Sequence, residues 1–470
     1  MKSVAIIGGG ITGLTAAFQL RRKGIPVKVF EASDRLGGPI RSVQQGGFLA
    51  ESGPNTILET APEVGQLVRE LALESRRIYS DPAAHNRYLV RNKKLVSAPS
   101  SPAGFFTSPL FSLKAKLSLI REPFVPRRRD GQEETVAEFV LRRLGQEFLD
   151  YAINPLVAGI YAGDPKKLSV RYAFAKVAEL ERDYGSLILG QILGARARRR
   201  RAEVSKQEAK KFSFDEGLQV LIDALSKHLG DAIHLGAAVH QARRDQAGWQ
   251  VTSDKFGTQR FSAVLFSGTA HQLSKLELLT EQRVDLTDFQ SIPYPPVASV
   301  VLGFRRQDVG HSLDGFGVLI PEIENFRILG TIFSSSLFPN RAPAGHVTLT
   351  SYIGGSRAPE LALLPERELY ELTRQDLSVL VAAVGEPVFR HHTVFRKAIP
   401  QYEKGFGRFK DKMSGLELNL PGFFLAGHFR DGVSLSDCIV SAYRAADRIA
   451  SYGQTSSNPR EAGVASATPA

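Results

Sequence analysis

The chain holds one cysteine, Cys438, among 470 residues. An internal disulfide needs two and a thiolate metal centre needs more, so both are excluded. No run of about 18 apolar residues occurs, which argues against a membrane-spanning helix. No leader-like pattern precedes the first apolar run, Val4 to Ile7, and a reducing, cytoplasmic setting is expected. No Ser/His/Asp constellation and no metal-ligand spacing stands out. His391-His392 read as surface or strand residues rather than ligands.

What is present belongs to a folded globular protein of more than one domain. Hydrophobic residues make up 43% and charged residues 23%, a globular composition, and the length calls for two or three cores. The net charge is +12, and half of it is concentrated between Arg196 and Lys211, where eight Lys/Arg face two Glu. No aromatic residues interleave there, so the block reads as a solvated basic loop, 196–211, rather than a nucleic-acid surface. An anionic lipid surface is the alternative partner.

The chemistry starts at the N-terminus. Val4 to Ile7 is a buried-strand pattern, Ile11 to about Lys23 an amphipathic helix, and Val27 to Phe30 a second strand. The turn between the first two, Gly8-Gly9-Gly10-Ile11-Thr12-Gly13, fits G-x-G-x-x-G. Gly8 makes the tight turn, Gly10 lets backbone approach a pyrophosphate, and Gly13 lets helix and strand pack. Glu31 ends the second strand, where a carboxylate can bind ribose hydroxyls. Arg35-Leu36-Gly37-Gly38 follows: paired glycines run beside a flat ligand, and an arginine can face a diphosphate. Near the other end, Leu425-Ala426-Gly427 and Gly432-Val433 lead into a helix starting at Ser436 or Asp437. Its N–H groups suit a reduced, negatively charged isoalloxazine. Asp437 is either a helix-terminal carboxylate or a flavin contact.

The arginine–diglycine extension resembles the signature of the flavin amine oxidase superfamily. Further matches run in order along nearly the whole chain. They are Glu51–Asn55, Asn86–Leu89, Gly159–Gly163, Ser186–Gly190, Phe214–Leu218, Gly315–Gly317, Ile399–Tyr402 and Gly432 to Ile439. Together they resemble the oxygen-dependent protoporphyrinogen oxidase family.

That resemblance implies an α/β and α+β architecture in three parts. A discontinuous Rossmann-like FAD domain would take 1–84, 212–270 and 415–453, and a helical, membrane-associating subdomain 85–195. An antiparallel-sheet substrate domain would take 271–414, ahead of a disordered tail, 454–470. Helix is expected over Phe214–Leu229, and strands at 297–304, 316–320, 327–333 and 346–353. The resemblance also implies a non-covalent FAD and six-electron oxidation of a porphyrinogen in three flavin cycles. Hydride would pass from a methylene bridge to flavin N5, with oxygen or a quinone as acceptor. It places Val239 near the adenine, Arg87 on a substrate propionate, and Phe316, Leu319 and Ile332 around the pyrroles. Gly159 either leaves room for the macrocycle or serves packing. Ser436 stands where the family has asparagine, and Gly427-His428-Phe429-Arg430-Asp431 is unusually charged. A peripheral or monotopic site on the cytoplasmic membrane face is expected, with a homodimer left open. Coproporphyrinogen oxidation is the alternative activity. More distant ones are an amine or carotenoid oxidoreductase and a non-enzymatic flavin-binding module.

Overall fold

Val4–Ile7 is apolar at every position because it sits at the centre of a five-stranded parallel sheet. The strand order is Ile233–Leu235, Val27–Glu31, Val4–Ile7, Ala263–Phe266, Phe423–Leu425. Val4 and Ile6 pack on one face with the helices Ile11–Arg22, Gln219–Leu229 and Leu435–Ser457. Ala5 and Ile7 pack on the other, against Trp249, Val251 and Phe261 of a second sheet. Each fully buried aliphatic or aromatic side chain contributes roughly 1.5–3 kcal/mol, and this layered core fixes the ends of the strands. The computed structural model describes residues 3–99, 101–128, 130–200 and 209–457.

A seven-stranded sheet carries the second half of the molecule. Its order is Phe389–Phe395, Val297–Arg305, His346–Gly354, Ile328–Phe333, Gly315–Leu319, Asn86–Arg91, Lys94–Ser97. Every pair is antiparallel except Gly315–Leu319 with Asn86–Arg91, which is parallel. One face is closed by the helix Glu366–Val381, whose Leu369, Leu377 and Leu380 meet Val300, Leu302, Val318 and Phe333.

Five expected boundaries differ from the elements observed. The helical region does not begin at residue 85: Asn86–Arg91 and Lys94–Ser97 form a hairpin in the large sheet. Its turn residues Asn92 and Lys93 both take positive φ, and the Glu324 carboxylate holds them by accepting both N–H groups at 2.8 Å. Phe214 does not open a helix but ends the strand Lys211–Phe214, and the helix starts at Gln219, after the left-handed Gly217. Within the stretch expected as substrate domain, 271–414, Glu277–Leu279 pairs with Val239–Asp245 in the second sheet. The helix Leu187–Arg200 enters the expected basic loop, and Leu435–Ser457 enters the expected tail. Residues 201–208 of the loop and 458–470 of the tail lie outside the described residues.

The helical region is organised by buried charge. Arg143 and Glu122 are both fully buried and bond at 2.7 Å, and Arg143 also donates to Glu181 at 2.9 Å. Glu122 in turn accepts from the Ser186 hydroxyl and from the N–H groups of Leu187 and Ile188, capping the helix Leu187–Arg200. Burial opposes ionisation of Glu122, but these donors outweigh it and hold its carboxyl below the usual range. Glu181 behaves likewise through Arg142 and Arg143. Beyond this hub, Leu113, Leu117, Ile120 and Phe124 recur at helical spacing, are 48–86% exposed, and form an apolar stripe. Ile192 and Leu193, more than 60% exposed, lie on the helix that Glu122 caps.

Arg143→Met is expected to cost about 3–5 kcal/mol, because it strands two buried carboxylates. The stability that Glu122 and Glu181 contribute is complete above their unfolded pKa of about 4.3 and is lost as pH falls through their lower folded values. Thermal midpoints of wild type and variant across pH 3–7 check both statements. An unchanged midpoint at pH 7 would show that the hub is dispensable.

Candidate active site

The glycine-rich turn is built as its spacing requires. Gly8 has φ +114°, and a Cβ on Gly13 would fall 2.0 Å from the Gly8 carbonyl oxygen, so neither tolerates a side chain. A Cβ on Gly10 would meet nothing within 4 Å, so the backbone there borders open space. Gly10 precedes the helix Ile11–Arg22 without any side-chain cap, leaving its first N–H groups for an anion. Glu31 folds back on this turn: its carboxylate accepts the Gly9 N–H at 2.7 Å and the Ser33 N–H at 2.9 Å. Ala237 N–H donates to the Glu31 main-chain carbonyl, two residues ahead of the strand Val239–Asp245.

Arg35 has a different local job from the one its motif position indicates. Its guanidinium donates to the carbonyls of Leu36, Gly38 and Ile40, so it holds the diglycine loop in shape. Gly37 and Gly38 both take positive φ, Gly37 N–H bonds the Gly9 carbonyl, and Gly38 faces Gly10. The two glycine segments thus form one cradle.

The C-terminal segment closes it. Thr12 donates to the Cys438 carbonyl at 3.5 Å, joining residues 426 positions apart. Gly427 lies beside Thr12 and Ser267. Asp437 and Ser434 make a reciprocal capping box, with Asp437 N–H to the Ser434 hydroxyl at 3.1 Å and Ser434 N–H to the Asp437 carboxylate at 3.2 Å. Asp437 therefore shapes the helix start, next to half-buried Val433. Ser436 ties that start to the Leu58 carbonyl at 2.5 Å. Cys438 is simply a buried small residue. Tyr402, given no role from sequence, donates to the His428 carbonyl and accepts the Gly432 N–H at 3.1 Å, pinning the loop from both ends. Its burial, and neighbouring Tyr161, raise its pKa far above the ordinary value, so the hydroxyl stays protonated.

The large sheet turns its other face towards this cradle. Gly317 pairs with Arg87 and Gly315 with Asn86, so Phe316 is the extra residue of a β-bulge. Gly317 has φ +151°, and a Cβ there would strike the Thr331 carbonyl at 2.2 Å. The bulge re-aims Phe316 onto the face that holds Ile332, and the two pack in one cluster with Leu337 and Phe338. Arg87, paired with Gly317, emerges on that face, as does Leu319, two residues on. Leu319 meets Gly159 of the helix Asn154–Tyr161, where a Cβ would come within 2.6 Å of it. All five expected substrate residues therefore share one wall. Sequence reasoning missed Lys211, whose ammonium lies 6.0 Å from the Phe316 ring centroid. It was counted as the end of the basic loop, and its strand pairing gave no sequence signal.

Comparison with known proteins agrees with this geometry. The family model described as flavin containing amine oxidoreductase matches residues 11–450. The protoporphyrinogen oxidase 2 of Arabidopsis thaliana is 36% identical, covering 98% of this chain and 96% of its own. The coproporphyrinogen III oxidase of Bacillus subtilis is 29% identical over 93% of this chain and 96% of its own. A crystal structure from Exiguobacterium sp. 255-15 superposes with TM-score 0.80 at 23% identity, over 95% and 98% of the two chains. Fold and cradle define an FAD-dependent oxidoreductase. The chain belongs to the flavin containing amine oxidoreductase family, and within it to the protoporphyrinogen oxidase family.

FAD fits the residues present: Gly8, Gly10, Gly13 and the helix N-terminus for the diphosphate, Glu31 for the ribose, and the 427–437 loop for the ring end. Glu31→Ala removes both the ribose acceptor and the clamp on Gly9, and should weaken FAD retention by about tenfold or more. Flavin occupancy after dialysis checks this, and wild-type occupancy would remove Glu31 from the site. Flavin released by denaturing the wild type should be free FAD, since binding is expected to be non-covalent.

Proposed function

We propose that this enzyme oxidises protoporphyrinogen IX to protoporphyrin IX, removing six electrons in three cycles with oxygen as acceptor. The observation that carries the reading is the shared wall: an arginine beside an aromatic and two branched aliphatic side chains, all on one sheet face. A porphyrinogen is a broad apolar ring with anionic arms, and this surface matches both properties. The names of the plant relatives point the same way.

FAD, when bound, supplies the hydride acceptor. The chain's own residues then have to place one bridging carbon within roughly 3–3.5 Å of the accepting atom and keep water away. Phe316, Leu319 and Ile332 cover the ring and exclude water. Arg87 grips a propionate in a bidentate contact that fixes rotation in the plane, which lysine would not reproduce. Gly159 lets Leu319 lie close to the helix Asn154–Tyr161, which sets the wall's depth. Pyrrole protons leave to solvent, so the reaction needs positioning more than a side-chain acid or base.

We further infer a peripheral seat on a membrane. The exposed stripe Leu113, Leu117, Ile120 and Phe124 supports it, with Lys114 and Arg121 on the same helix and Ile192 and Leu193 nearby. Among the described residues no helix is long and apolar enough to cross a membrane.

Steady-state kinetics on both porphyrinogens test the substrate. Protoporphyrinogen should be preferred, and equal or better efficiency on coproporphyrinogen would favour the activity for which the Bacillus relative is named. Arg87→Ala should lower kcat/KM by about 2–3 kcal/mol, roughly 30- to 150-fold, with FAD content intact. Wild-type kinetics in that variant would take Arg87 out of the site. Flotation with anionic liposomes at low salt should carry the protein upward, and protein left at the bottom would end the membrane reading.

A further inference from the structure

The loop 427–432 has a hinge at each end. Gly427 takes φ +110° and Gly432 φ +127°, and a Cβ on Gly432 would lie 2.7 Å from the Asp437 side chain. Glycine gives up more conformational freedom on folding than any other residue, so such a loop keeps one shape only if other groups fix it. Tyr402 does so with a single hydroxyl, which donates to the His428 carbonyl and accepts the Gly432 N–H at 3.1 Å. The side chain is 3% exposed, and its ring packs on Phe406 with centroids 4.5 Å apart.

Tyr402 is itself immobilised from the substrate side. Its carbonyl accepts the Ser169 N–H at 2.8 Å, and the Gln401 N–H donates to the Pro293 carbonyl at 2.9 Å. Gln401 is also buried, and its Nε2 donates to the carbonyls of Tyr161 at 2.8 Å and Ile399 at 3.0 Å. Its Oε1 has no donor among the described residues and lies against Gly163, where a Cβ would fall 2.4 Å away. The Nε2 bonds therefore hold the amide. Tyr161 is the last residue of the helix that carries Gly159, which lies against Leu319 of the wall. Two consecutive residues thus span the gap: Gln401 grips the wall helix and Tyr402 grips the loop at the ring end.

We propose that Gln401 and Tyr402 form a bracket that sets the separation between the substrate wall and the flavin ring. This rests on the porphyrinogen reading and on the assignment of the ring end to this loop, and deepens both. A displacement of about 1 Å in the reacting geometry can cost on the order of a hundredfold in rate. The bracket therefore acts on the rate of flavin reduction rather than on affinity. Both are positioning residues, since they act through the loop and the helix and not on the reacting carbon.

The test compares holoenzymes carrying Tyr402→Phe, Gln401→Met and both changes with the wild type. Tyr402→Phe keeps the ring and its packing and removes only the hydroxyl. One readout is the visible circular dichroism of bound FAD, which needs no substrate; the other is anaerobic flavin reduction by protoporphyrinogen IX. Tyr402→Phe should alter the dichroism bands and slow the limiting rate of reduction about ten- to a hundredfold. FAD occupancy and the half-saturating porphyrinogen concentration should stay within about twofold of wild type. Gln401→Met should slow reduction likewise, and the double variant should be no slower than the slower single one, as two parts of one device require. A merely stabilising role would lower the thermal midpoint of Tyr402→Phe and leave its dichroism and limiting rate at wild-type values, and that result would overturn the bracket. Additive losses in the double variant would overturn it as well. If protoporphyrinogen fails to reduce the wild-type flavin while Tyr402→Phe still changes the dichroism, the hold on the flavin stands and the assigned reaction falls.

Discussion

A buried ion pair between Glu51 and Arg341 holds the nucleotide cradle against the substrate wall. Their atoms lie 3.1 Å apart, and both side chains are almost wholly buried. Burial pushes the Glu51 carboxyl upward, and Arg341, the Leu218 N–H and the Ser42 hydroxyl pull it back. Arg341 also donates to Ser213, and Gln219 N–H bonds Ser42, so one cluster ties together the start of the helix Gln219–Leu229, the strand Phe48–Glu51 and the turn Pro339–Arg341. The pair leans on these bonds, since Arg341 Nη1 has no partner among the described residues, and losing one member of such a pair typically costs about 3–5 kcal/mol. A second seam runs parallel: Asn55 donates to the Tyr352 hydroxyl at 2.6 Å, and that hydroxyl donates to the Gly53 carbonyl at 3.2 Å. The motif Glu51–Asn55 is thus a fastening between the nucleotide-cradle side and the large sheet.

The electrostatics of the C-terminal half follow from similar internal pairing. The charged segment after Gly427 does not place free charge at the cofactor. Arg430 is paired with Glu417, which also holds Arg448, and Asp431 accepts from Ser441. His428 is half-buried, and loss of solvent brings its pKa down to about 4, so it is neutral near pH 7. What remains at the ring end is backbone: the pinned loop and the capped helix start. The positive charge instead stands at the rim of the wall, in Arg87 and Lys211.

Much of this was legible in the sequence, for physical reasons. Strand, glycine turn, helix and Glu31 are local features with a fixed spacing, and each element appeared at the expected residues. The strands of the large sheet were readable from their apolar content. The hairpin 86–97 was not, because Lys93 takes a left-handed conformation that sequence assigns to glycine or asparagine, and it does so only because Glu324, over 200 residues away, binds the turn. Arg35 is expected to face a diphosphate, and its guanidinium also donates to three backbone carbonyls, a bracing role that sequence does not show. The shared wall depends on a one-residue bulge at Phe316, a registry detail that no spacing rule announces. Lys211 was hidden because adjacency to Arg87 exists only after two sheets are assembled.

On the proposed function, the wall held by Glu51–Arg341 presents a reduced tetrapyrrole to the flavin. Anaerobic mixing of the purified holoenzyme with protoporphyrinogen IX, followed by flavin absorbance in a stopped-flow instrument, tests it without reference to the acceptor. The expected result is rapid loss of the oxidised flavin band at a rate that saturates with porphyrinogen concentration and keeps pace with turnover. An oxidised spectrum that persists with porphyrinogen but bleaches on mixing with a primary amine would contradict it.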